Sequence, residues 1–261
     1  MPKRIKFLFS SIFITLIFFV FLALPYEFRY YTMAIDVILL ILVIWFGLDI
    51  KKNTPSLLKT MIAVLPVSFF VGYGLFAAII PYNLLTGIIL SIFLGIVFYV
   101  IFLVENVFLF AVGYKTVPLY RAAYTVGSII MLLTAFFLFD SLYSFSLNYW
   151  LNMIMVYIIS VLIFVYHFFS VTIELSDDGN KLNIRSYVLI PPLLMSELAL
   201  VLSFWPIGIF KGSIYLTAIM YVVAGLIQSD IRGRLFKKVW LSFSWIGIAI
   251  LVGIILMTGW R

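Results

Sequence analysis

The chain has 261 residues, 66% hydrophobic and 10% charged, with a mean hydropathy of +1.25 and a formal net charge of +7. A globular domain is about half apolar and a quarter charged, so this composition excludes a water-soluble fold with a polar shell. Zero cysteines and a single histidine, His167, exclude disulfides, thiolate nucleophiles, iron–sulfur clusters, cysteine-ligated zinc and bis-histidine haem within one chain, and no cofactor is expected.

The apolar residues gather into nine runs, most of them near the length that crosses about 30 Å of hydrocarbon at 1.5 Å per residue. Barrel strands would be about ten residues long with period-two alternation, so helices are the spanning element. The expected fold is an all-α polytopic membrane protein, one transmembrane helical domain over 1–261 with about nine spans. The first run, 5–24, follows Lys3, Arg4 and Lys6. It is too long for a signal-peptide core and has no small-x-small cleavage site before Pro25, so it reads as an uncleaved anchor. The second, 33–50, carries Asp36 in its first turn, where a helix dipole favours an acid.

The third run, 56–80, opens after Thr54-Pro55, an N-cap followed by proline at the first helical position. Pro66 lies deep inside it with Gly72 and Gly74 beyond, a pattern that predicts a kink. Val71-Gly72-Tyr73-Gly74 resembles four residues of the potassium-channel filter. Phe70 replaces the threonine of that motif and no short pore helix precedes it, so helix-packing glycines are the better account. The fourth run, 84–104 with an apolar continuation to 112, repeats small residues at Gly87, Ser91 and Gly95 and ends near Glu105. Such a stripe allows close helix approach, within one chain or between two copies. The fifth, 117–139, follows Thr116 and Pro118 and has Arg121 near its start.

The sixth run, 150–171, holds His167 about one turn from its end, too far along the axis from Ser128 of the fifth run for a serine–histidine dyad. Next comes VTIELSDDGNKLNIRSY (171–187), which alternates apolar and polar around Asp178-Gly179, a two-residue turn signal. That register pairs Ile173 with Ile184 and Leu175 with Leu182, predicting a small cytoplasmic β-hairpin between helices six and seven. It serves either as a surface flap or as a docking edge for a soluble partner. The seventh run, 189–205, is expected to begin at Pro191-Pro192, which places Glu197 about 10 Å along its axis. The eighth, 213–227, is short enough to be re-entrant or tilted. The ninth, 239–258, carries Ala249 and Gly253 at a four-residue spacing.

With the N-terminus inside, every Lys and Arg except Arg29, Lys211 and Arg261 falls on the cytoplasmic side. The positive-inside rule then gives a cytoplasmic N-terminus and an outer C-terminus. The basic charge is a topology signal: nucleic acid is not an expected partner, whereas membrane lipids are, the anionic inner-leaflet lipids among them. In its Ile, Phe, Leu and Tyr richness and minimal loops the chain resembles many multi-span bacterial membrane proteins, a likeness of style that implies the cytoplasmic (inner) membrane and transfers no residue.

An ionised carboxylate within a span costs on the order of 2–3 kcal/mol, so Glu197 calls for a partner or for protonation. Arg121 is the expected partner, with Glu105 competing for it. Two readings stay open: an ion or proton site centred on Glu197, or a Glu105–Arg121–Glu197 salt-bridge layer that fixes helix order. Function divides in the same way. One expectation is a non-catalytic subunit or scaffold that packs with a protein or lipid partner, or with a second copy. The other is a small-solute or ion-coupled transporter using Glu197 near a kinked third helix. An enzymatic reading has no paired acid–base constellation to rest on.

Overall fold

The computed structural model describes residues 3–48, 56–113, 119–173 and 184–258. In chain order these form α1 (Lys3–Ala23), α2 (Tyr26–Leu48), α3 (Ser56–Ile79), α4 (Leu84–Gly113), α5 (Tyr120–Ser144), α6 (Tyr149–Thr172), α7 (Ile184–Phe204), α8 (Ile209–Ile231) and α9 (Lys237–Met257). All nine helices among the described residues are long and apolar enough to cross a membrane. A helix satisfies its own backbone, which hydrocarbon cannot do.

Several helices begin before their apolar runs. α2 starts directly after Pro25, whose carbonyl accepts the Phe28 N–H at 3.1 Å, and Glu27 lies in its first turn. Tyr26 to Thr32 are amphipathic, so hydropathy alone passes over them. α8 extends beyond the eighth run at both ends and has the length of a full span. α7 starts at Ile184, so Pro191 and Pro192 are buried interior residues of the helix and not its opening turn. Lacking N–H groups, they leave the carbonyls four residues back without their usual donors.

No strand occurs among the described residues, and the hairpin expected over 171–187 is not borne out. Val171 and Thr172 belong to α6, and Ile173 caps it in a helical conformation (φ −54°, ψ −38°), donating its N–H to Phe169 O at 3.3 Å. Ile184 opens α7. Leu175 and Leu182 lie outside the described residues. The physical reason is local: an isolated two-stranded hairpin is marginal, whereas continuing each flanking helix pairs the backbone at once. Over a handful of residues, period two and period 3.6 are also hard to tell apart.

The chain divides into two compact units, Met1–Thr134 and Ala135–Arg261. In the first, α1 packs on α2, α3 and α4, and α2 and α3 both pack on α4. Between lipid-solvated helices the hydrophobic effect adds little, so contact area and packing must hold them together. Phenylalanine supplies that area. Rings link Phe7 to Phe102, Phe102 to Phe98, Phe98 to Phe69 and Phe70, and Phe70 to Phe18, at centroid separations of 5.9–6.3 Å. All six are buried.

In the second unit α6 and α7 pack along each other, α8 joins both, and α9 packs on α8. Polar ties cross these contacts. His167 is buried on α6 and donates its Nε2–H to Ala224 O of α8 at 3.0 Å. The Tyr187 hydroxyl donates to Asp230 at 2.7 Å, and Tyr215 to Gly253 O at 3.1 Å. Gly225 admits the Phe243 ring so closely that a methyl group there would collide with it.

Candidate functional site

Charge within the spans is the first place to look, because each such group must be compensated. Glu105 is fully buried in α4, and Arg121 is exposed in the first turn of α5; both belong to the first unit. Glu197 belongs to the second unit and is exposed on α7. Because α7 begins at Ile184, Glu197 lies about 20 Å from that end and about 10 Å from Phe204, some two thirds of the way along the helix. Within its unit it makes no hydrogen bond or ion pair among the described residues.

Asp36 is also deeper than its sequence position suggests. With α2 starting at Tyr26, Asp36 sits about 15 Å along the axis, beyond the reach of the helix dipole. It is buried, and with Thr32, Leu16, Ile17, Val20 and Phe21 it lines a cavity of about 260 Å³ between α1 and α2. Its Oδ2 has no hydrogen-bond partner among the described residues.

Pro66, Gly72 and Gly74 are buried in α3, which is helical from Ser56 to Ile79, so the filter-like tetrapeptide keeps its carbonyls within the helix. Tyr73 donates its hydroxyl to Leu90 O of α4 at 2.9 Å. On α4, Gly95 sits against Thr15 of α1, Gly87 against Tyr82, and Ser91 is buried. Ser128 gives its hydroxyl to Tyr124 O of its own helix at 2.8 Å.

Two features escaped the sequence reading. Arg29, counted there as a loop residue, is buried in α2 and donates to Leu22 O at 2.8 Å, Leu24 O at 2.9 Å and Ala78 O at 3.4 Å. It thereby serves carbonyls at the C-terminal ends of both α1 and α3, where a cation is also favoured by the dipoles. The other is a cavity of about 360 Å³ in the second unit, lined by the end of α5 and the facing ends of α6, α7 and α8. Asn152 and Tyr143 line it. An amide one turn into an apolar run was the available signal. In the same unit the buried Asp140 accepts a hydrogen bond from Ser213 at 2.8 Å. No group of three or more metal-ligating side chains occurs among the described residues.

With nine helices among the described residues each long and apolar enough to cross a membrane, the chain is an integral membrane protein. It belongs to the family described as "Protein of unknown function (DUF5656)", which matches residues 48–257 and so takes in α3 to α9. No curated protein and no solved structure matches the chain.

Proposed function

We propose that the protein is a non-catalytic membrane subunit that packs against a second membrane-embedded chain, with Glu197 as the polar contact. One observation carries this reading: a carboxylate well inside α7, two thirds of the way along it, is exposed and has no partner within its unit among the described residues. Glutamate is too short to bring its charge from that depth to the nearer end of the helix, about 10 Å away along the axis. Lipid tails offer it nothing, so a charge or donor on another helix is the natural complement. The partner is therefore a spanning helix with Arg, Lys or a strong hydrogen-bond donor at matching depth. α9 adds apolar area for docking, since Ile254 is the only buried residue of the helix.

A transport role for Glu197 has less support. The carboxylate lines none of the three cavities described for the chain. The test is purification of the tagged chain from its native membrane with and without Glu197→Leu. A stoichiometric membrane partner should copurify with the wild type and be lost from the variant. Glu197→Lys should recover that partner only when the partner's own basic residue is reversed to Glu. A chain that purifies alone, with Glu197→Leu simply more stable, removes the proposal.

A further inference from the structure

The cavity of the second unit is lined by Tyr143, Asn148, Tyr149, Asn152, Ser203 and Trp205, together with apolar and glycine positions. We infer that it is a binding site for an uncharged, hydroxyl-rich ring: a sugar, free or as the headgroup of a lipid.

The hydrogen-bonding inventory points there. Asn152 is 94% buried; its amide N–H donates to Leu147 O at 3.2 Å, yet Oδ1 has no partner among the described residues. The Tyr143 hydroxyl is likewise without one. Asn148 occupies the N-cap of α6 but makes no capping bond with its side chain, and Gly208 at the N-cap of α8 has no side chain to give. Two helices thus begin at the cavity with first-turn amides that no N-cap side chain satisfies. The site offers backbone donors, one buried amide acceptor and a hydroxyl that does both.

An anion would accept from the amides but could not donate to Asn152 Oδ1. None of the described lining residues is basic, so an anion finds no counter-charge on the wall. Lys211, beside Gly212, is turned to Met257 O at 3.2 Å. A hydroxyl both donates and accepts, so it answers the whole set. Trp205 donates its indole N–H to Thr258 Oγ1 at 2.8 Å, and the residue lines the cavity. With Tyr149 and Tyr143 it supplies aromatic surface of the kind on which the C–H face of a sugar rests. A few fixed polar groups within an apolar and aromatic wall are what small-ligand sites consist of, and 360 Å³ accommodates one or two sugar rings.

The test uses the full chain in a detergent without a sugar headgroup and in nanodiscs. Thermal stability is followed against glucose, monoglucosyl diacylglycerol, phosphatidylglycerol and inorganic phosphate. Saturable stabilisation by the glucosyl compounds is expected; saturation by glucose itself identifies a free-sugar site, and saturation by the glycolipid alone a headgroup site. Asn152→Ala and Tyr143→Phe should each weaken binding at least tenfold. Tyr143→Phe removes a hydroxyl that the chain itself does not use, so the unliganded variant should melt no lower than wild type, which separates lost binding from lost folding. Equal binding of phosphatidylglycerol or phosphate, no saturable sugar binding (a site holding water only), or unchanged affinity in both variants would each overturn the inference.

Discussion

Arg29 illustrates how one side chain can hold two helix ends. Its guanidinium donates to carbonyls of α1 and α3 and lies over the Tyr26 ring at 4.0 Å. Losing it would strand carbonyls in a buried, low-dielectric setting, at about 1–3 kcal/mol for each unsatisfied group. Arg29→Met should therefore destabilise the first unit by about 2–4 kcal/mol in denaturant titrations of micellar protein. Arg29→Lys should recover only part of this, because an ammonium cannot spread its donors over the same three acceptors. In the sequence an arginine before the apolar run 33–50 looks like a loop cation, and its carbonyl partners on α1 and α3 emerge only from the packing. In the sequence Asp140 is an acid just past the fifth apolar run, whereas its bond to Ser213 depends on α8 being brought beside α5.

Among the elements, small residues behave differently according to what faces them. Gly95 on α4 meets Thr15 of α1, so Gly95→Val should overpack that contact and cost about 1–3 kcal/mol. Gly253 on α9 has nothing within 4 Å of an added methyl group. Gly253→Ala should be neutral or stabilising by up to about 1 kcal/mol, since alanine is the better helix former. Parallel melts of the two variants check both expectations. The spacing of Gly87, Ser91 and Gly95 was visible in the sequence; which helix it serves was not. Helix existence and order were equally legible, because nine long apolar segments leave no other arrangement in lipid. The starts of α2 and α7 were not, since tyrosines, a double proline and a short alternating stretch all interrupt the hydropathy signal without interrupting the helix.

For the whole molecule, the natural zero-cysteine background makes topology measurable. Gly208 at the start of α8 has φ −64° and open space around an added side chain, and Arg234, between α8 and α9, is exposed. The two positions lie at opposite ends of α8. The positive-inside reading of the loops expects the Arg234 end in the cytosol. A membrane-impermeant maleimide should then label Gly208→Cys in intact cells and reach Arg234→Cys only after lysis.

The sequence by itself determined the solvent of this protein and the order of its apolar segments along the chain. Both follow from summed hydropathy and helix rise, which depend on residue type and on neighbours along the chain. Tertiary structure alone decided which polar groups are used and which are left over. It turned Arg29 inward, tied His167 to Ala224, left Glu197 exposed on α7, and brought Asn152 and Tyr143 to the same cavity wall. Those outcomes depend on which face each helix turns to its neighbours. In a chain apolar on nearly every face, periodicity carries little of that information.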